Sequence, residues 1–292
     1  MPREFSATIW RSPPANKQGE TKRRPQLKSF NQLALPLCAL GAVAFCACGD
    51  MAPSSFDGTW KMNPSQTKFS SEPITTSLSN GTYDCDSCTP KIHVRADGTD
   101  QLLRAEPRDT ITVREINSRT VKIIMKRNEK ILSEQVATAA PDGQTLQVAT
   151  TRYPLAGTSL PQVVEATFDR IGRLVPNANA ITGSWRMREV SPPESAQLTT
   201  FKSDGPELSV SWPLGSHWTA KYDGKDYPME GPREDSVSLK RLNDRAIEAT
   251  YKLHGSPTRV DKLTVSDDGK TMTNVSEDKL SGRISTISAT RQ

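Results

Sequence analysis

The chain is poor in the side chains that most often carry chemistry. Of its 292 residues three are His and five are Cys, and aromatic residues make up 6%. His93, His217 and His254 stand far apart, so no His-rich metal spacing is present. A Gly-x-Ser-x-Gly elbow, a phosphate loop and a dinucleotide fingerprint are missing too, and no metal or cofactor is expected. The sequence also lacks any helix-length window with a convincing 3.6-residue apolar period, which leaves room only for short helices. Excess positive charge is absent from the body. The formal charge is +5, and residues 1–30 hold Arg3, Arg11, Lys17, Lys22, Arg23, Arg24 and Lys28 against Glu4 and Glu20, that is 7 − 2 = +5. Everything beyond residue 30 is neutral, and a neutral body has no footprint for nucleic acid.

What the sequence does have begins with its leader. The basic segment runs into "FNQLALPLCALGAVAFCACGD", an apolar stretch too short for a comfortable membrane span. Residues 1–48 therefore read as an export signal behind a basic leader. Two cleavage readings stay open. "FCAC" at 45–48 resembles a lipobox, which would make Cys48 the lipidated residue and anchor the protein to a membrane surface. Ala42-Val43-Ala44 offers an ordinary signal-peptidase site instead, and a free secreted or periplasmic protein. Residues 49–55 would be a tether.

Three of the five cysteines lie in the leader, so the body keeps only Cys85 and Cys88, in "YDCDSCTP". Cys-x-x-Cys can be a redox pair, half a zinc site or a haem attachment. No βαβ pattern surrounds it, no further ligand pair accompanies it, and Thr89 stands where haem attachment needs His. A local disulfide suited to an oxidising compartment remains.

The body repeats itself. "GTWKM" at 58–62 recurs as "GSWRM" at 183–187, an offset of 185 − 60 = 125 between Trp60 and Trp185. Asp97-Gly98-x-Asp100 recurs as Asp223-Gly224-x-Asp226 at an offset of 126. That offset continues without a gap through "ITVREINSRTVKIIMK" on "VSLKRLNDRAIEATYK" and "TAAPDGQTL" on "TVSDDGKTM". A constant offset over most of the body marks a duplication, with units at 56–174 and 182–292 and a linker at 175–181.

Each unit is patterned as strands. Apolar residues at alternate positions mark one buried face in Val121, Ile123 and Met125, in Val237 and Leu239, and in Ile247, Ala249 and Tyr251. Asp-Gly pairs at 97–98, 142–143, 223–224 and 268–269 separate such runs and predict type I′ turns between antiparallel neighbours. The expected fold is all-β: two tandem antiparallel meander barrels, each removing its edges by closing. Closure would bring the first strand of a unit against its last. Two closed units would then place Arg170 near Trp60 and Arg291 near Trp185, with each guanidinium over the indole.

A Gly-x-Trp start (Gly58, Trp60; Gly183, Trp185) with a late arginine resembles the calycin superfamily. "GTWKMNPSQTKFS", "KYDGKDYP", "VSLKRLNDRAIEATYK" and "VSDDGKTMT" are similar to phrases of uncharacterised secreted bacterial lipocalin-like proteins, here in tandem. The resemblance implies a fold and a binding cavity, with no activity to carry over. The first unit lacks the Tyr-Pro of Tyr227-Pro228 and adds the Cys pair, so whether the two units share a function stays open.

The expectation is an exported, non-catalytic protein that binds a small apolar or amphipathic ligand inside a barrel. Candidate lining residues are Trp212, Trp218, Tyr222 and Tyr227 in the second unit and Ile123 and Met125 in the first. Gly58, Trp60, Arg170, Gly183, Trp185 and Arg291 are structural signatures. One alternative is a structural or interaction protein of the cell envelope with filled barrels. Another is an envelope hydrolase using Asp97 with Asp100, or Asp223 with Asp226, although acids in Asp-Gly turns ordinarily accept from their own backbone.

Overall fold

A computed structural model describes residues 54–88, 90–103, 106–157 and 159–292. The segment expected to be an export signal (1–48, with Cys48) and most of the expected tether lie outside the described residues. The architecture is all-β, with two short 3-10 turns at Pro64–Gln66 and Glu194–Gln197 as the helical elements among the described residues. No helix there is long and apolar enough to cross a membrane.

Twenty strands form two ten-stranded antiparallel sheets. Strand β1 (Gly58–Met62) is followed by β2 (Ile74–Ser79), β3 (Thr82–Cys85), β4 (Ile92–Arg95), β5 (Asp97–Leu103) and β6 (Glu106–Asn117). Next come β7 (Thr120–Arg127), β8 (Lys130–Ala139), β9 (Thr145–Arg152), β10 (Gln162–Ile171) and β11 (Gly183–Ser191). The remainder is β12 (Leu198–Asp204), β13 (Glu207–Ser211), β14 (His217–Lys221), β15 (Asp223–Glu230) and β16 (Ser236–Asn243), then β17 (Ala246–Leu253), β18 (Ser256–Val265), β19 (Thr271–Asp278) and β20 (Ile284–Arg291).

Strand pairing distributes the chain differently from its repeat. β2 to β11 form one barrel-like sheet, whose ends β4 and β5 are consecutive in the chain. β12 to β20 form a closed barrel only by taking in β1, which pairs with β12 on one side and β20 on the other. The first strand of each repeat thus sits in the barrel built mostly by the other. Residues 63–73 and 192–197 make the two crossings.

This exchange corrects the expected arginine partners. Arg170 lies over Trp185 at 4.1 Å, its neighbour in the β10–β11 ladder, and Arg291 lies over Trp60 at 4.4 Å. The physical reason is that "GTWKM" and "GSWRM" are near-equivalent as strands, so either fits either barrel. Residues 172–182 connect β10 to β11, and Gly183–Ser191 pairs directly with the strand before it.

The two closures match in detail. Trp60 Nε1 donates to Phe56 O and Trp185 Nε1 to Ile181 O, both at 2.8 Å. Arg291 donates from Nε to Gly269 O at 2.8 Å, from Nη2 to Ser55 O at 2.6 Å and from Nη1 to Asp57 O. Arg170 donates to Gly143 O, Thr182 O and Ala180 O. The Gly of the signature follows from this geometry. Gly183 has φ +146°, and a Cβ there would stand 2.2 Å from Arg170 Nη1, while Gly58, at φ +119°, faces Arg291 in the same way.

Each sheet encloses its own core. One gathers Leu78, Ile111, Val113, Val121, Ile123 and Trp185; the other gathers Phe56, Trp60, Leu208, Val237, Leu239 and Ile247. Alternation supplies these rows, and each fully buried aliphatic side chain contributes about 1.5–3 kcal/mol. Cys85 and Cys88 are disulfide-bonded beside the first core, with Cα atoms 5.3 Å apart.

The turn chemistry differs from expectation. Type I′ corners, with both central φ positive, form at Asn80-Gly81, Asn128-Glu129 and His254-Gly255. At 142–143 and 268–269 only the glycine has positive φ, and 97–98 and 223–224 open strands β5 and β15 at irregular register. The residue pair alone does not settle its φ values; the pairing on either side does.

Arg291→Ala and Arg170→Ala each remove three hydrogen bonds to carbonyls and a cation–π contact, so each should destabilise the fold by about 2–4 kcal/mol. Arg→Lys at either position should recover only a minor part, since a single ammonium cannot reproduce the planar fork. Urea unfolding followed by tryptophan fluorescence measures both.

Candidate binding cavity

The barrels touch along a defined seam. Leu155 N donates to Leu214 O at 2.9 Å, Arg127 Nη1 to Gly231 O at 3.3 Å, and Arg283 Nη1 to Ser87 O at 2.7 Å. Across this seam runs a cavity of about 840 Å³. Leu132, Met125 and Val164 bound it from the first sheet, and Trp60, Phe201, Trp218 and Met272 from the closed barrel. Phe69 and Pro192 of the two crossings also line it.

The expected lining residues divide. Trp212, Trp218 and Met125 lie on the cavity wall. Ile123 is buried in the core of the first sheet and does not line it. Tyr222 packs from outside on the closed barrel's core, with the Arg241 guanidinium 4.5 Å over its ring. Tyr227 donates its hydroxyl to Asp223 at 3.0 Å, beside its own turn. Tyr222 and Tyr227 flank the register shift between Asp223 and Asp226 in the β15–β16 ladder, where simple alternation does not hold.

Charged residues on the wall were not anticipated. Arg127 pairs with Asp109 through two bonds of 2.8 and 2.9 Å. Arg259 stacks on Tyr251 at 3.9 Å and reaches Asp261 at 3.4 Å. Burial pulls the Arg259 guanidinium down, yet Asp261, Tyr251 and Glu234 outweigh it and leave its pKa raised. Burial also raises the Tyr251 hydroxyl. Arg152, at the end of β9, lines the cavity as well. A signal for these existed: Arg259 and Asp261 share the inward parity of Leu263 and Val265 on β18, where apolar residues are expected. Asp109 falls on Asp235 at the repeat offset, but the arginines are not repeated: Leu253 stands for Arg127, and Ser133 and Gln135 stand for Arg259 and Asp261.

The Asp pairs are placed away from the cavity, in separate barrels. Asp97 accepts from Thr99 and pairs with Arg95, Asp100 pairs with Lys126 at 2.7 Å, and Asp226 pairs with Lys252 at 2.5 Å. Hydrogen bonds from Thr99, from Lys126 and from the Lys225 backbone hold Asp97, Asp100 and Asp223, respectively, below the usual carboxylate range. They are ionised acceptors pinning strand irregularities. The histidines are scattered: His93 faces Asp84, His217 faces Gly215 O, and His254 occupies a turn beside Asp235. Among the described residues no group of three or more His, Cys, Asp or Glu could hold a metal ion.

Comparison with family models, curated proteins and solved structures found no match. The geometry of the cavity therefore carries the functional argument.

The depressed carboxylates set an acid limit. Their folded pKa lies below the unfolded one, so their contribution is complete above about pH 5 and is lost as pH falls through the carboxylate range. The urea midpoint should hold steady from about pH 5 upward and drop below about pH 4. The Asp100→Asn chain should lose less on acidification than the native one, and an equal loss would assign the acid limit to other groups.

Proposed function

We propose that the protein is an exported, lipocalin-like binding protein that holds one small apolar or amphipathic molecule in the cavity between its barrels. The observation that carries this reading is the cavity itself. Its volume of about 840 Å³ falls within the range of small-molecule sites, about 300–1,000 Å³. The wall has the composition of a ligand site, aromatic and aliphatic with a few placed polar groups.

Export is the compartment that fits the leader and the Cys85–Cys88 pair. We take the "FCAC" reading, in which Cys48 carries the lipid and residues 49–55 link it to β1. Cys48→Ala should abolish incorporation of labelled palmitate and release the protein from membranes. Absence of label from the native chain would return the cleavage to Ala42-Val43-Ala44.

Ligand binding is tested by native mass spectrometry on protein purified from its own host, where a co-purifying mass of lipid size is expected. Uptake of the neutral dye N-phenyl-1-naphthylamine gives a second readout. Leu132→Trp places an indole in the cavity and should weaken dye uptake about 10-fold, the equivalent of about 1.4 kcal/mol, with little change in unfolding midpoint. A clean apoprotein that takes up no dye would remove the binding reading.

A further inference from the structure

We propose that the cavity selects an amphiphile with a carboxylate head, and that Arg152 is the residue that meets the head. This rests on the cavity being a binding site and specifies what it binds. Five cationic side chains lie on the cavity wall: Lys126, Arg127, Arg152, Arg233 and Arg259. Four have an acid of their own. Lys126 pairs with Asp100 at 2.7 Å, Arg127 with Asp109 at 2.8 Å, Arg233 with Asp278 at 3.4 Å and Arg259 with Asp261 at 3.4 Å. Arg152 alone makes no hydrogen bond and no ion pair with any described residue.

Its placement gives that difference a meaning. Arg152 ends β9 opposite Ser133 of β8 and Gln162 of β10, both of which line the cavity. Arg152 is exposed at the surface, and the protein packed on its inner side lowers its pKa by desolvation. A guanidinium cannot escape such a site by losing its proton at ordinary pH. A partly desolvated cation without a partner is costly, and an incoming anion removes that cost. The planar fork suits the two oxygens of a carboxylate. Beyond the polar Ser133 and Gln162 at its side, the first sheet contributes Leu132, Leu155 and Val164 to the wall and the closed barrel contributes aromatic residues. A head at the seam and a tail along that wall use both features together.

The test uses 11-(dansylamino)undecanoic acid and its methyl ester, which differ only in the charge of the head. The full chain should bind the acid at least about 10-fold more tightly than the ester, as one charge-assisted hydrogen bond would produce. Arg152→Gln should erase that preference while leaving ester affinity in place, which also shows that the variant folds. Arg152→Lys should keep part of the preference, and Arg188→Gln, at the exposed pair with Asp169, should keep all of it. Equal affinity of the native chain for acid and ester, or an undiminished preference in Arg152→Gln, overturns the assignment while leaving the cavity reading standing. Binding of neither probe by the folded chain removes both.

Discussion

A guanidinium laid on an indole joins the last strand to the first in the closed barrel and ties β10 to β11 in the other sheet. A meander that curls into a barrel must join its last strand to its first, and here the join is made by side chains as well as by the ladder. Arg291 reaches the Gly269 turn and two carbonyls just ahead of Trp60; Arg170 does the same with Gly143, Ala180 and Thr182. One residue thereby satisfies carbonyls in two segments that the strands leave unpaired, and a positive charge makes each bond stronger than a neutral one. Gly58 and Gly183 exist in this arrangement because a Cβ would meet the arginine.

Since the closing strand of each barrel comes from the other repeat, closure also binds the repeats to one another. β1 cannot leave the closed barrel without exposing the edges of β12 and β20, and β11 stands likewise between β10 and β2. Segment exchange is familiar between identical chains; here it occurs within one chain. The cavity inherits the consequence. Its wall includes Trp60 and Met62 of the exchanged strand together with the crossings near Phe69 and Pro192, so the space is a property of the pair of barrels.

Legibility in the sequence followed how local each feature is. Val121 with Ile123 and Val237 with Leu239 announced buried strand faces because side-chain direction alternates strictly along any strand. The duplication was visible for the same reason, as a pattern needing no knowledge of contacts. Corner geometry was only half legible: His254-Gly255 and Asn128-Glu129 make the tight turns, while Asp97-Gly98 and Asp223-Gly224 sit at irregular strand starts. Pocket residues were the least legible. Trp218 and Met125 reach the cavity, Tyr222 and Tyr227 do not, and Arg152 had nothing in its neighbourhood to distinguish it from a solvated arginine.

By itself the sequence determined that the chain is all-β and duplicated, and that a Trp on a first strand would meet an Arg on a last one, because those follow from period, repetition and the chemistry of closure. Which Trp meets which Arg was decided by the tertiary structure. The two opening strands share the Gly-x-Trp-basic-Met phrase, so the phrase does not say which barrel each enters; the pairing of β1 with β20 and of β11 with β10 decides it. The cavity was decided at the same level: a space is bounded by atoms far apart in the chain, and only the packing of the closed barrel against the barrel-like sheet brings Leu132, Trp218 and Arg152 to its edge.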